Sequence, residues 1–296
     1  AMVHSIFNIV ATAMLLPFTK VLEKLAYFFI RESKEEKEKK EMLDERLLNT
    51  PAVAIEVCRS TTIEMAEFSK TALLTAIELQ FHYDEKKAEL IQEYEQKIDY
   101  YEDRLNAYLV RISKHSISSE DNRTVSKMLH CIGNFERIGD HAVNLMESAQ
   151  EIHDKNLAFS EGAAGELSVL CDAVTEIATL AFSAFEKDDL SLAKQVEPLE
   201  EVVDTLSDEI KNRHIKRLQH DNCTVEMGYI YQDVLTNMER ISDHCSNIAA
   251  CLIEIDEQID IHTYLHDIKK SDEDFRKDYH TLLNQYFIKL GVSEEA

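Results

Sequence analysis

The chain has 296 residues, room for about two domains, and its six glycines and three prolines are too few for the turns of an all-β protein. Glu, Leu, Ala, Lys and Ile dominate, so an all-α fold is predicted. A net charge of −24 excludes a nucleic-acid binder, because no basic stripe offsets repulsion from phosphates, and favours metal cations as partners.

Residues 1–31 open the chain with an apolar stretch nearly free of charge as far as Thr19, followed by an amphipathic segment from Lys20 to Arg31. We read it as the remnant of a last transmembrane helix with its exit along the membrane surface. Lys and Arg crowd its C-terminal flank, which places the rest of the chain in the cytosol by the positive-inside rule. A charged connector of Lys and Glu, residues 32–50, follows.

Pro51 restarts the pattern, and residues 51–157 read as a three-helix bundle. Its first helix runs to about Phe81. Asp84 caps a second, whose stripe Ile91, Tyr94, Ile98, Tyr101, Leu105, Tyr108 and Ile112 alternates three and four apart. Ser118 or Ser119 caps the third. A glycine pair in Glu161–Gly165 marks the boundary of the halves, and residues 161–260 read as a second three-helix bundle. Its helices are predicted at Leu167–Phe185, Asp189–Leu218 and Thr224 to about Ile259, with a kink or fresh start at Pro198. Residues 261–296 keep aromatic anchors (Phe275, Tyr279, Tyr286, Phe287) and are expected to dock as one more helix. The six cysteines are scattered without a C-x-x-C pair, as suits reduced cytosolic thiols.

One block occurs twice. Asn134-Phe135-Glu136-Arg137-Ile138-Gly139-Asp140-His141 returns 103 residues later as Asn237-Met238-Glu239-Arg240-Ile241-Ser242-Asp243-His244, which implies an internal duplication. Each copy stacks two carboxylates one helical turn apart, a pairing that weakens a helix unless a cation sits beside it. The second helix of each half has its own acid ladder, Glu95, Asp99 and Asp103 in one and Glu200, Asp204 and Asp208 in the other. If second and third helices pack side by side, Asp99, Asp103, Glu136 and Asp140 converge, as do Asp204, Asp208, Glu239 and Asp243. Four carboxylates in one place need a divalent or trivalent metal ion, and oxygen ligands suit Mg, Mn, Ca or iron over zinc. The competing explanation is a set of solvated acids paired with Arg137, Arg240, Arg104 and Lys97. Glu95, Glu200, Arg137, Arg240, His141 and His244 form the expected outer ring, with both histidines hydrogen-bonding at the bundle edge. The chain lacks a Gly-rich phosphate loop, a G-x-S-x-G elbow and the Glu-x-x-His spacing of di-iron oxidases, and no catalytic role is assigned.

The repeated blocks resemble the paired motifs of PhoU-type phosphate-uptake regulators, and that resemblance implies tandem three-helix bundles that hold metal clusters through E(D)-x-x-x-D. His4-Ser5-Ile6-Phe7-Asn8 with Leu15-Leu16-Pro17-Phe18, Leu43 to Pro51, and His262-Thr263-Tyr264-Leu265 resemble the end of bacterial sodium/phosphate cotransporter family proteins. That family carries Gln-Ser-Ser signatures in its transport core, and this chain has no Gln-Ser pair. The resemblance therefore implies a C-terminal regulatory part of a cotransporter in the cell membrane, with the PhoU-like domain in the cytoplasm. Its expected partners are the membrane, an upstream transporter domain in cis and a further copy of itself. The alternative is a freestanding PhoU-like regulator acting on a separate transporter or kinase.

Overall fold

The computed structural model describes residues 43–220, 223–260, 269 and 273–291; the expected membrane segment, most of the connector and the His262 block lie outside them. Contacts divide the chain into residues 1–46 and residues 47–296. In the first unit, the described stretch holds Asp44, whose Oδ1 accepts the Arg46 amide at 2.8 Å.

The second unit is built from helices. A 3-10 turn, Glu45–Asn49, precedes α1 (Pro51–Leu79), α2 (Glu85–Ile112) and α3 (Ser119–Asp154). Pro51 occupies the first position of α1, where its missing N–H costs nothing. Asp84 caps α2 through the amides of Lys86 and Lys87, and Ser118 caps α3 through the amide of Asp121. These three helices pack pairwise around Met65, Leu73, Ile91, Ile98, Leu105, Ile132 and Phe135, all fully or almost fully buried.

The same order returns in α4 (Glu161–Lys187), α5 (Leu190–Ala193), α6 (Val196–Gln219) and α7 (Val225–Glu257), with α4, α6 and α7 again packed pairwise. Two sequence expectations are refined here. The Glu161–Gly165 glycines lie inside α4, which starts six residues before the predicted Leu167, because Ser160 caps it by accepting the Ala163 amide. The break falls earlier, where Asn156 adopts a left-handed conformation (φ 52°) after α3. The predicted second helix of this half is interrupted, and Pro198 sits in the first turn of the restarted α6. There it removes no intrahelical hydrogen bond.

The two triads of helices share one core. α3 packs extensively on α7, and α1 also meets α4. Phe135 of α3 reaches across to Phe182 and Phe185 of α4, with ring centres 5.2 and 5.0 Å apart. Nearby, the buried Lys127 ammonium lies 2.7 Å from both Asp188 and Asp256, tying α3 to the ends of α4 and α7. α8 (Glu273–Lys289) packs on α6 and α4, with Tyr286 buried and its hydroxyl donating to the Glu176 carboxylate. Among the described helices, α4 alone is long and apolar enough to cross a membrane, and most of its apolar window is buried against its neighbours.

Candidate metal centre

α2 and α3 run side by side, and this juxtaposition assembles the acids. The close approach rests on Gly139, since a Cβ there would stand 3.0 Å from Ile98 Cδ1. Ile98 lies immediately before Asp99, and Gly139 immediately before Asp140. One carboxylate oxygen each from Glu95, Asp99 and Asp140 falls within 4.8 Å of the others. In the second half Glu200, Asp204 and Asp243 do the same. The two triads occupy corresponding positions, 105 residues apart on the second helices and 103 apart on the third.

These triads differ from the expected quartets. Glu95 and Glu200, predicted for the outer ring, stand at the centre. Asp103 and Asp208 are solvent-exposed and belong to neither triad. The reason is helical phase. Residues four apart stay within about 40° of one face, and the third rung of the ladder drifts to about 80°, past the groove facing α3 or α7. Glu136 and Glu239 lie one turn before Asp140 and Asp243 and also fall outside the triads.

The electrostatics are those of crowded acids, most of them partly buried and Asp99 exposed. Burial, followed by the charge of Asp99 and then Asp140, raises the Glu95 carboxyl above its ordinary range, and burial with Asp140 does the same to Asp99. Burial and Asp140 push Glu136 up to about 7 against the opposing pull of Arg137. In the second half burial, then Glu197 and Asp204, pushes Glu200 up to about 8, and burial with Glu239 and Asp243 pushes Asp204 up to about 6. Burial also raises Asp243, although Arg240 pulls it down.

Basic side chains relieve part of this crowding. Arg137 reaches Glu136 at 3.4 Å and Asp140 at 3.5 Å, and Arg240 reaches Asp243 at 3.2 Å. Lys97 and Arg104 instead lie over the rings of Phe68, Tyr94 and Tyr100. Two cations escaped the sequence reading. Lys211 pairs with Glu239, and Lys269 stands 2.7 Å from Glu197 and 3.9 Å from Glu200 while also pairing with Glu201. Lys211 follows Ile210 on the seam of α6 and could have been found by phase; Lys269 belongs to the tail, where nothing in the local pattern signals its partner.

Even so, Glu200 Oε2 and Asp204 Oδ1 remain buried without a hydrogen-bond donor. An all-oxygen set with unmet acceptor capacity and raised carboxyl pKa values fits a hard cation, which would displace protons from the site. His141 and His244 do hydrogen-bond at the bundle edge, through Nδ1 to Asn237 at 2.8 Å and to Asn134 at 3.0 Å.

Comparison with known proteins gives a consistent family. The PhoU domain profile matches residues 62–149 and 167–252, one match per half. YjbB of Salmonella typhimurium, named for inorganic phosphate export, is 22% identical over 262 residues, which cover 86% of this chain and 48% of that protein. The chain thus spans about half the length of the YjbB relatives it matches. PhoU homolog 1 of Thermotoga maritima, named as a phosphate-specific transport system accessory protein, is 22% identical over 162 residues, 55% of this chain and 69% of that one. Among solved structures, PhoU from Pseudomonas aeruginosa superposes with a TM-score of 0.66 at 22% identity, covering 71% of this chain and 99% of the other.

Proposed function

Because this chain belongs to the PhoU domain family, we propose that it is the cytosolic, non-enzymatic regulatory region of a phosphate transporter and that cation loading of its two acid triads sets its state. The observation that carries the transport link is the alignment of 86% of the chain with only 48% of a relative named for phosphate export. A regulator covalently attached to a transporter unit accounts for that proportion, and residues 1–31 then read as the last span of a sodium-dependent transporter. Each triad would hold a divalent or trivalent ion (iron, Mg, Mn or Ca) through Glu95, Asp99 and Asp140 in one half and Glu200, Asp204 and Asp243 in the other. When bound, that ion supplies positive charge to cancel the repulsion between second and third helices. The chain's own residues would orient the carboxylates and, in the second half, keep water from the buried oxygens of Glu200 and Asp204.

Phosphate flux tests the reading directly. In vesicles carrying the complete gene product, the E95Q/E200Q double variant should change how flux responds to internal phosphate or chelator. Flux and its response identical to wild type would overturn it. The freestanding-regulator reading draws support from the coverage of 99% of the Pseudomonas PhoU chain by this fold. Upstream gene sequence separates the two, since several further membrane spans support the fused form and a nearby start codon the freestanding one.

A further inference from the structure

The packing of α3 against α7 carries a polar cluster that the acid triads do not use. His141 of the first repeat bonds Asn237 of the second, and His244 of the second bonds Asn134 of the first. The exchange is reciprocal because both residue types recur at an offset of 103. The amide orientations are set by the backbone, as Asn134 Nδ2 donates to the His130 carbonyl at 2.9 Å and Asn237 Nδ2 to the Asp233 carbonyl at 2.8 Å. Each Asn therefore presents Oδ1 to the histidine, and an amide oxygen only accepts. Both imidazoles must carry their proton on Nδ1, leaving each Nε2 with a free lone pair. Among the described residues no hydrogen bond reaches either Nε2.

We propose that His141 and His244 form a two-imidazole site for a borderline divalent transition ion such as Zn, Ni or Cu, at the seam between the repeats. Ligating histidines characteristically donate their other ring N–H to an oxygen acceptor that fixes tautomer and ring orientation, as Asn237 and Asn134 do here. The spacing is close. Metal–nitrogen bonds of about 2.0–2.1 Å, added to an imidazole radius of about 1.1 Å, put ring centres about 5.1–5.5 Å apart at tetrahedral to trigonal angles. The observed separation is 5.6 Å, just beyond that range, with the ring planes 31° apart. The ligand class also separates this site from the triads, because imidazole selects borderline ions and all-carboxylate sites select hard ones. An ion held by one ligand from each repeat would lock α3 against α7.

Copper(II) is the probe, because its electron paramagnetic spectrum resolves nitrogen ligands that the carboxylate triads cannot supply. With one equivalent of Cu(II) on the full-length chain, lines from two equivalent nitrogens are expected, and they should vanish in the H141A/H244A double variant. N134A and N237A keep both ligands but lose the orienting acceptor, and each should weaken copper binding about 10- to 100-fold. An oxygen-only spectrum of the wild type overturns the proposal whether or not the variants fold. So does a two-nitrogen spectrum that persists in H141A/H244A, or N134A and N237A chains that bind copper like wild type.

Discussion

Replacing Glu200 by Gln probes the second triad where its cost is greatest. Its carboxyl is raised from 4.5 to about 8, chiefly by burial and then by Glu197 and Asp204. Between these two values the native state holds a proton that the unfolded state has released. Stability of the metal-free chain is therefore greatest below pH 4.5 on this account and falls as pH rises toward 8. At about 1.4 kcal/mol per pH unit, forcing Glu200 to ionise removes roughly 5 kcal/mol in full and roughly 3 kcal/mol by pH 7. Gln keeps the side-chain shape, carries no charge and leaves Lys269 its nearer partners Glu197 and Glu201. In chelator, E200Q should therefore exceed wild type by roughly 1–3 kcal/mol at pH 7, with a flatter pH profile. With Mn²⁺ added the order should reverse, because the ion binds the ionised triad and stabilises only a fold that retains it. Urea unfolding followed by circular dichroism between pH 5 and 9, with chelator and with Mn²⁺, supplies the numbers. A wild-type profile that is flat in chelator, or an E200Q chain less stable than wild type at pH 8 without metal, refutes the reasoning.

Three further outcomes are expected. Calorimetric Mn²⁺ titration should show E95Q losing the first-half ion while D103N binds as wild type, since Glu95 stands in the triad and Asp103 is exposed; equal losses would reinstate the quartet inferred from sequence. K127A should destabilise the chain by about 1–3 kcal/mol in urea, because it removes the buried ammonium that holds the partly exposed Asp188 and Asp256. F135A should cost about 3–5 kcal/mol, as it empties a fully buried position against Phe182 and Phe185; for either variant a change below 1 kcal/mol would contradict the packing described.

The amino-acid sequence by itself determined the helical class, the cap at Asp84, a cap at Ser118 or Ser119, and the duplication. These are local or periodic properties, written in side chains that answer to their own helix: an N-cap bonds two or three residues ahead, and a seam repeats every three or four. It also named acids that the fold brings together, Asp99 with Asp140 and Asp204 with Asp243. What it could not decide was which rung of each ladder faces the neighbouring helix. Glu95 displaces Asp103 because the phase of α2 against α3 is set by core contacts such as Ile98 on Gly139, 41 positions apart in the chain. The start of α4 at Glu161, glycines included, likewise depends on core packing that outweighs glycine's low helix propensity, although the Ser160 cap itself is local. Most dependent of all on tertiary structure is the His–Asn exchange between repeats. Its partners lie 96 and 110 residues apart, and only the packing of α3 on α7 brings one repeat's histidine to the other's asparagine.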